Sequence, residues 1–433
     1  DKSTAWGQLQ MESNSCSSVE PEVIAGRLLA VHENITGGSG EEGQWVNDGI
    51  YKLFTHSLGI HRLCTGYVTL KDINYIIEET SGDESKYIET ASETPTQELM
   101  QTYREQFNER IAKGEITDED ADTLEYHIRY FEKEWANENP KNKGTVAGAA
   151  KNITGIFANP RNAKTFCPSE EEISFPGFDS IIDAGWIVCL DAPDSEFGRV
   201  ASALGVLLKL EFQRSALARV ARAKNDPATN TKRPLVFICD EYQNFVSTSS
   251  KRSKEGDDNF YALARQSRCL SLVLTQAPVS LFAKMNKEKT RTVMNSLCTK
   301  MFLKINDPED AELASNIFGK DWKQKKSTSL NENMEGAKYD VVTDSLQGKS
   351  SSVAESLSLS DEILARVDAV KIQDLKSFEC FATVFDGVKN RVAERIYLKP
   401  YFCPKEFEEK GYNSKTLPYK DFIEWFETKQ EED

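Results

Sequence analysis

The first third of the chain carries apolar residues at the spacing of an amphipathic helix. The earliest set recurs three and four positions apart and comprises Val23, Ile24, Leu28, Leu29 and Val31. The same spacing continues over residues 45–58, and residues 98–111 and 118–135 combine it with Glu, Lys and Arg on the opposite face. This pattern predicts an all-α domain that covers residues 16–140.

The helical region contains one candidate helix start and one interruption. Ser17 and Glu20 stand three positions apart, as in a capping box at the first turn of a helix. Residues 76–96 lack an apolar period and are rich in acidic residues and turn formers, which predicts an exposed loop. A solvated connector and a binding loop are both compatible with this composition.

After residue 144 the pattern changes to short continuous apolar runs that alternate with helical segments. Five runs are typical of strands buried on both faces, namely residues 186–190, 235–239, 270–274, 301–305 and 378–385. Residues 195–224 and 258–268 have helical spacing and lie between them. Alternating helices and buried strands predict an α/β fold with a mostly parallel sheet flanked by helices, into which the all-α domain is inserted.

The remaining segments define the expected boundaries of the α/β domain. Residues 1–15 are expected to link into it, and its core is expected at residues 141–320, with its last strands at residues 365–402. Residues 321–364 are rich in Ser, Lys and Asn with little periodicity, which predicts a long flexible excursion. Residues 403–433 are expected to form a charged C-terminal tail.

Composition narrows the class of protein. Over 433 residues, 39% apolar and 28% charged residues are typical of a globular protein with two or three domains. A formal net charge of −16 argues against general coating of nucleic acid, because such binding depends on Lys and Arg neutralising phosphates. The nine cysteines are scattered without a CxxC pair, which predicts neither a zinc site nor a disulfide framework. No apolar run is long enough to predict a membrane span.

The sharpest local motif is LVFICDEYQ, an apolar strand that ends in Asp240 and Glu241. In RecA-like ATPases a strand delivers such a pair to the carboxyl edge of the sheet. The Asp there holds Mg²⁺, directly or through water, and the Glu polarises the attacking water. Acidic residues at a strand end also serve as helix N-caps, so the motif alone leaves both interpretations open.

The next strand, LSLVLTQ, ends in Thr275 and Gln276. A polar amide at the tip of the neighbouring strand can contact the γ-phosphate or the attacking water. The intervening segment ALARQSR contains Arg265 and Arg268. Either could act as an arginine finger on the nucleotide of a neighbouring subunit or stabilise the dipole at a helix end, and for Arg268 the second role is favoured.

A phosphate-binding loop is missing from the sequence, because no segment matches GxxxxGK[ST]. The nearest segment, TDSLQGKS at residues 343–350, lacks the first glycine and lies in the Ser-rich excursion. The initial DKST has neither the glycines nor a preceding strand.

The order of several segments resembles the type IV coupling proteins of the TraG/TraD type. These segments are TAWGQLQ, PEVIAGRLL, QWVNDGIYKLF, GTVAGAAKNITGIFANP, FDSIIDAGWIVCLDAP, RPLVFICDEYQNFVS, FYALARQSRCLSLVLTQAP and SNIFGK. The resemblance covers nearly the whole chain and implies a RecA-like ATPase fold with an inserted all-α domain. It also implies that a membrane anchor and the Walker A region lie upstream of this chain.

The resemblance implies roles for individual residues. Asp240 and Glu241 resemble the Walker B pair, Gln276 the motif that follows it, and Arg265 the arginine that acts in trans. ATP and Mg²⁺ are the implied cofactors, with Asp240 as the metal ligand and Asp240 and Gln276 contacting the nucleotide. The tyrosine after the acids departs from the Phe or Leu that is more usual there.

Members of this family form hexameric rings at the cytoplasmic face of the bacterial inner membrane. They pass relaxase-bound single-stranded DNA or proteins to the secretion channel, so relaxosome, effector and channel proteins are the implied partners. The basic residues 251–254 (KRSK) are a candidate DNA contact or a solvated loop. Two other functions stay open, a non-catalytic recruitment platform and a HerA- or FtsK-like DNA motor.

Overall fold

The computed structural model describes residues 19–36, 43–82, 93–226, 228, 233–250, 252–334, 338–342, 344–347, 351–391, 394–398, 402–413 and 415–432. The chain divides into two compact units, Asp1–Leu297 and Cys298–Asp433. Several sequence predictions lie outside the described residues: the linking segment 1–15, the capping box at Ser17, and residues 83–92 of the loop 76–96.

The first unit begins with a helical part. Its helices are α1 (Pro21–Thr36), α2 (Gln44–Thr65), α3 (Leu70–Thr80), α4 (Pro95–Ala112), α5 (Ala121–Arg129), α6 (Pro140–Ala158) and α7 (Pro160–Phe166). A 3-10 turn (Asp118–Asp120) precedes α5, and a π-helical turn (Tyr130–Trp135) follows it. No helix in the described part of the chain is long and apolar enough to cross a membrane.

Local side chains decide where two of these helices start. Thr69 and Asp72 form a reciprocal capping box at the start of α3, and Thr94 and Gln97 form one at the start of α4. Because α3 continues to Thr80, the first residues of the predicted loop 76–96 are helical. Their apolar members Ile76 and Ile77 are fully buried, so packing against the helical core extends this helix into the acidic segment.

The helical part shares its hydrophobic core with a long helix that follows it in the chain. After α8 (Phe178–Ala184) and a short turn, α9 (Asp194–Phe197), this helix is α10 (Arg199–Asn225). The core combines Leu28 and Phe54 with Phe157 of α6 and with Val206 and Leu207 of α10. The helical core thus extends beyond residue 140, and α10 joins it to the α/β part.

Two strands, β1 (Leu235–Cys239) and β2 (Cys269–Val273), form a parallel pair in the first unit. The helices α11 (Asp257–Leu263), α12 (Pro278–Lys284) and α13 (Lys287–Ser296) complete this part. One face of the pair packs on α10, where the rings of Phe237 and Phe212 stack with centroids 5.5 Å apart.

The other face of the pair carries exposed apolar side chains. For the described residues, the prediction that these strands are buried on both faces is therefore wrong. These side chains are Val236, Ile238, Leu270 and Leu272. The predicted strand at residues 186–190 is also wrong, because these residues form neither helix nor strand and Ile187 is 97% exposed. An apolar run becomes a strand only where another strand satisfies its backbone groups.

The second unit contains an antiparallel sheet, so the prediction that its strands join a parallel sheet is wrong. Its strands are β3 (Lys300–Phe302), β8 (Glu379–Thr383) and β9 (Glu394–Tyr397), with β8 in the middle. Its core combines Phe318 of α14 (Pro308–Phe318) with Ile372 of α15 (Ala369–Gln373), and partly buried Phe302 and Phe381 pack against it. The C-terminal tail forms α16 (Lys405–Glu408) and α17 (Tyr419–Glu432).

Most of the described residues of 321–364, the segment predicted to be a flexible excursion, form paired strands. The strands β4 (Lys320–Met334) and β7 (Ser351–Ala365) pair antiparallel over fifteen residues, from Lys320↔Ala365 to Met334↔Ser351. Between them lie β5 (Lys338–Asp340) and β6 (Ser345–Gln347). The sequence SLSLS at residues 356–360 alternates with period two, which is the strand signal hidden by the Ser-rich composition.

A buried ion pair attaches the segment after β1 to α10. The Lys209 Nζ donates to Asp257 Oδ2 at 2.5 Å and to Ser247 Oγ at 2.9 Å, and Gln213 Nε2 donates to Asp257 Oδ1 at 2.7 Å. Both ion-pair partners are almost completely buried. Burial lowers the pKa of Lys209, and the Asp257 carboxylate opposes that shift.

We expect Asp257→Ala to destabilise the first unit by about 3 to 5 kcal/mol, because it leaves the Lys209 ammonium buried without its partner. Asp48→Ala is the control, since Asp48 pairs with Arg252 at 2.9 Å on the surface and should lose less than about 1 kcal/mol. Urea unfolding of both variants measures the difference. Equal losses of unfolding free energy in the two variants would show that the buried pair stabilises the fold no more than the surface pair does.

The buried histidines His56 and His127 should make the stability of the folded state depend on pH. Their Nδ1 atoms lie 3.1 Å apart, so one ring must accept where the other donates, and the two rings cannot both be protonated. Burial lowers the pKa of His56 to about 3 and that of His127 to about 4. Stability should therefore be fully present above the unfolded pKa near 6.5 and fall as pH drops below it.

Between pH 7 and pH 5 we expect a loss of about 2 kcal/mol for each of these histidines, since the unfolded chain gains a proton that the native state refuses. The variant His127→Gln removes one titrating group and should reduce this pH dependence, even if its stability at pH 7 is lower. Urea unfolding at several pH values gives the slope. An unchanged slope would contradict the role of His127.

Candidate functional site

The candidate site lies where β1 and β2 end. Two backbone hydrogen bonds continue the pairing beyond the strands, from Leu274 N–H to the Cys239 carbonyl at 2.9 Å and from Tyr242 N–H to the Leu274 carbonyl at 2.8 Å. Because parallel strands have their carboxyl ends at one edge, the residues after Cys239 lie beside those after Val273. Asp240 and Glu241 are therefore neighbours of Thr275 and Gln276.

The backbone at Glu241 has an unusual conformation. Its φ of 48° and ψ of 41° are left-handed, a region that non-glycine residues enter rarely and at a cost of roughly 1 to 3 kcal/mol. The Glu241 N–H donates to Asp240 Oδ1 at 2.9 Å. A 3-10 turn, Tyr242–Asn244, follows directly and turns the chain away from the sheet edge.

The structure brings three of the four predicted site residues together. Gln276 Nε2 donates to both oxygens of the Glu241 carboxylate, at 3.1 and 3.2 Å, and Asp240 precedes Glu241 in the same turn. All three side chains belong to exposed residues. An acid pair and an amide at one open edge can hold a cation, orient a water molecule and contact a phosphate.

Arg265, the fourth predicted residue, lies elsewhere. It is an exposed residue of the 3-10 turn Ala264–Ser267, which precedes β2. At about 3.3 Å per residue the five residues of β2 span roughly 16 Å, so Arg265 is at the opposite end of this strand from Gln276. Arg268 follows with a φ of 52°, and its N–H donates to the Arg265 carbonyl at 3.4 Å. Within one chain, Arg265 does not take part in the site.

Two site residues were given no role from the sequence, Gln243 and Thr275. Gln243 Nε2 donates to Glu241 Oε2, and Thr275 Oγ donates to Gln243 Oε1 at 2.8 Å. The only signal in the sequence was the glutamine two positions after the acid pair, in the same segment where the expected apolar residue is replaced by Tyr242. Their contact depends on the neighbouring strand and could not be deduced from either motif alone.

Behind the site, Tyr242 fixes the turn to the core. Its side chain is almost completely buried, and Lys209 Nζ lies 5.9 Å from the centre of its ring. Burial raises the pKa of Tyr242 well above its usual value, so the phenol stays neutral. The turn that carries Gln243 is thus attached to α10.

Helices α1 and α2 hold the segment between Val246 and Asp257. Asn34 Nδ2 donates to the Val246 carbonyl at 2.7 Å, and Arg27 makes a two-pronged ion pair with Glu255 at 2.5 and 2.8 Å. Arg252, part of the basic segment 251–254, pairs with Asp48 of α2 at 2.9 Å. Lys251 lies outside the described residues, and a DNA contact by this segment stays a prediction.

Magnesium suits the donor atoms at the site. The described residues contain no cluster of three or more His, Cys, Asp or Glu side chains that could hold a metal by themselves. Mg²⁺ keeps several water ligands and is commonly bound by one or two carboxylates together with substrate phosphates. Asp240, with one carboxylate oxygen on the Glu241 N–H and the other still available to a ligand, fits that mode of binding.

Comparisons with known proteins were made for sequence and for structure. A family model described as the TraM recognition site of TraD and TraG matches residues 234–366, which include β1, the candidate site and β2. A search of curated proteins found no match to the chain.

Among solved structures, the unbound monoclinic form of the bacterial conjugative coupling protein TrwBdeltaN70 matches with a TM-score of 0.51 and 11% identity. This match covers 91% of this chain and 70% of that chain. The plasmid coupling protein TrwB in complex with the non-hydrolysable GTP analogue GDPNP matches with a TM-score of 0.49 and 11% identity, over 91% and 71% of the two chains.

At such low identity the likeness to TrwBdeltaN70 shows the fold. It confirms the predicted class, a RecA-like α/β fold combined with an all-α domain. The family match adds a sequence relationship over the segment that contains the acid pair. Together they show that the chain is similar in fold to the conjugative coupling protein TrwBdeltaN70 and, over residues 234–366, similar in sequence to the TraM recognition site of TraD and TraG.

Proposed function

We propose that the chain is the nucleotide-hydrolysing part of an ATP-driven coupling protein of a conjugation or type IV secretion system. The observation that carries the proposal is the Glu241 carboxylate, held by Gln276 from the neighbouring parallel strand and preceded by Asp240. This arrangement places a base, a polar amide and a cation ligand at one open sheet edge. Phosphoryl transfer to water needs these three groups close together.

Each side chain has a distinct task in this proposal. Asp240 holds Mg²⁺, directly or through water, and the bound ion would neutralise charge on the ATP phosphates. Glu241 accepts a hydrogen bond from the attacking water and orients it. Gln276 contacts the γ-phosphate or the water, and loss of that phosphate changes its contacts with Glu241.

The phosphate-binding loop has to come from polypeptide outside these 433 residues, because the sequence contains no GxxxxGK[ST] segment. The exposed apolar face of the β1–β2 pair supports this. Val236, Ile238, Leu270 and Leu272 are exposed in the described structure, whereas parallel sheets are normally covered on both faces. We propose that the polypeptide carrying the loop covers this face.

Arg265 acts on a neighbouring subunit in this proposal. Its position at the opposite end of β2 from Gln276 places it away from the site of its own chain, which supports a role in trans. A trans arginine requires a ring or another closed assembly, and the proposed assembly is the homo-hexamer of the family.

The proposed cargo is single-stranded DNA bound to a relaxase, or a protein substrate, delivered to the channel proteins at the cytoplasmic face of the inner membrane. The family model that matches this chain is described by recognition of TraM, which supports a protein partner of the relaxosome. The net charge of −16 also favours contacts with proteins over general binding to nucleic acid.

A recruitment platform without catalysis is the second candidate. The observation that favours it is the missing phosphate-loop sequence, since a chain that cannot hold the phosphates cannot hydrolyse ATP by itself. The two candidates differ in a single measurable property, the turnover of ATP by the complete protein.

In the complete protein, we expect Glu241→Gln to bind ATP and to lower kcat by about 100-fold or more, because the amide cannot serve as a base. Steady-state phosphate release and nucleotide binding by fluorescence measure the two effects. Glu288→Gln, an exposed glutamate of α13, is the control and should retain parental rates. Hydrolysis by Glu241→Gln at the parental rate would overturn the catalytic assignment.

Mixed rings test the role of Arg265. Arg265→Ala and Glu241→Gln subunits should each be inactive alone, because every site lacks one group. In a random equal mixture, half of the subunits retain Glu241 and half of their neighbours retain Arg265, so about a quarter of the parental turnover should return. Absence of rescue in rings of verified mixed composition would rule out the trans role.

A further inference from the structure

Gln243 is a buried residue whose side-chain amide contacts the Glu241 carboxylate. Gln243 is only 8% exposed, whereas Glu241 and Gln276 are exposed residues. The amide lies between the tips of the two strands, with Nε2 on Glu241 Oε2 and Oε1 on the hydroxyl of Thr275. It therefore connects the acid after β1 to the residue after β2 by side chains alone.

The two contacts fix the orientation of this amide. The Thr275 hydroxyl has to donate where it meets the amide oxygen, and the carboxylate of Glu241 can only accept. A reversed amide would place its oxygen against the carboxylate and its NH₂ group against the hydroxyl, and would lose the charge-assisted hydrogen bond to Glu241. The Glu241 carboxylate thus determines which end of Gln243 faces it, and the Thr275 hydroxyl holds the other end of the amide in place.

Gln243 and Gln276 hold the carboxylate in different ways. Gln276 spans both oxygens from an exposed position, so it can exchange this contact for a phosphate or a water molecule. Gln243 is buried and has its other end occupied, so it cannot make that exchange without leaving Thr275. When Gln276 moves, Gln243 still holds Glu241.

The main chain that carries Gln243 is itself well anchored. The 3-10 turn Tyr242–Asn244 is closed by Asn244 N–H on the Glu241 carbonyl at 2.8 Å and by Phe245 N–H on the Tyr242 carbonyl at 3.0 Å. The buried ring of Tyr242 fixes the turn to the core. A glutamate side chain has three rotatable bonds, and an anchored donor reduces the number of positions that its carboxylate samples.

We propose that Gln243 is a positioning residue for Glu241, and that Thr275 anchors the Gln243 amide for this task. The inference rests on the proposed ATPase function, because a position for Glu241 matters only if that carboxylate orients water. Misplacement of a reacting group by about 1 Å can lower a rate by about 100-fold. Loss of Gln243 should lower kcat, because the amide contacts Glu241. It should leave ATP binding nearly unchanged, because other groups bind the nucleotide.

The test uses the complete, ATP-hydrolysing protein and measures kcat and KM for ATP. We expect Gln243→Leu to lower kcat by about 10- to 100-fold with little change in KM.

Thr275→Val should also lower kcat, and Thr275→Ser, which keeps the hydroxyl, should retain most of the parental rate. Combining Gln243→Leu with Thr275→Val should cost little more than Gln243→Leu alone, because both break one chain of contacts. Gln101→Leu, at an exposed position of α4, is the matched control and should keep parental kinetics.

Three outcomes decide between the hypotheses. If Glu241→Gln hydrolyses ATP normally, the proposed function fails, whatever Gln243 does. If Glu241→Gln is inactive while Gln243→Leu keeps its kcat, the positioning role is refuted and the proposed function stands. If Gln243→Leu does not fold, the pair Thr275→Val and Thr275→Ser decides, and equal rates for these two variants refute the anchoring role of Thr275.

Discussion

The parallel pairing of β1 with β2 is the constraint on which the candidate site depends. Leu235 faces Cys269 and Cys239 faces Val273, and two further backbone hydrogen bonds extend this register beyond the strands. The acid turn and the Thr275–Gln276 tip therefore meet. Because strands advance about 3.3 Å per residue, a register shift of two residues would separate these side chains by more than 6 Å. The hydrogen bonds that cross between the strands, from Gln276 to Glu241 and from Thr275 to Gln243, would not survive such a shift.

The site is also connected to the helical part of the first unit. The segment from Val246 to Asp257 starts two residues after the turn that carries Gln243, and it is held by Asn34 and Arg27 of α1. Its far end is fixed by the buried pair of Asp257 and Lys209. Leaving either buried charge alone would be costly, so this segment is firmly attached to α1 and α10.

The sheet that carries the site has one covered and one exposed face. Phe237 and Leu235 pack toward α10, while Val236 and Ile238 are exposed on the opposite side. The apolar run at residues 186–190 is exposed as well. Continuous apolar runs are typical of strands inside three-layer α/β folds. These residues therefore have the composition of buried strands, although they are exposed in the described part of the chain. All three runs have the composition of a buried strand, but only β1 and β2 have a neighbouring strand to pair with. The prediction of strands was therefore correct for β1 and β2 and wrong for residues 186–190.

The sequence alone determined the elements whose signal is local. Helical spacing located most of α1, α2 and α4, the apolar runs located β1 and β2, and strand-end chemistry together with the family resemblance selected Asp240, Glu241 and Gln276. Only the tertiary structure decided which strands pair and in which direction. An apolar run carries no direction, so β3 and β8 could not be recognised as antiparallel, and the pairing of β4 with β7 depends on residues far apart in sequence. The contact of Gln243 with Thr275 has the same origin, because it forms only after β1 and β2 have paired.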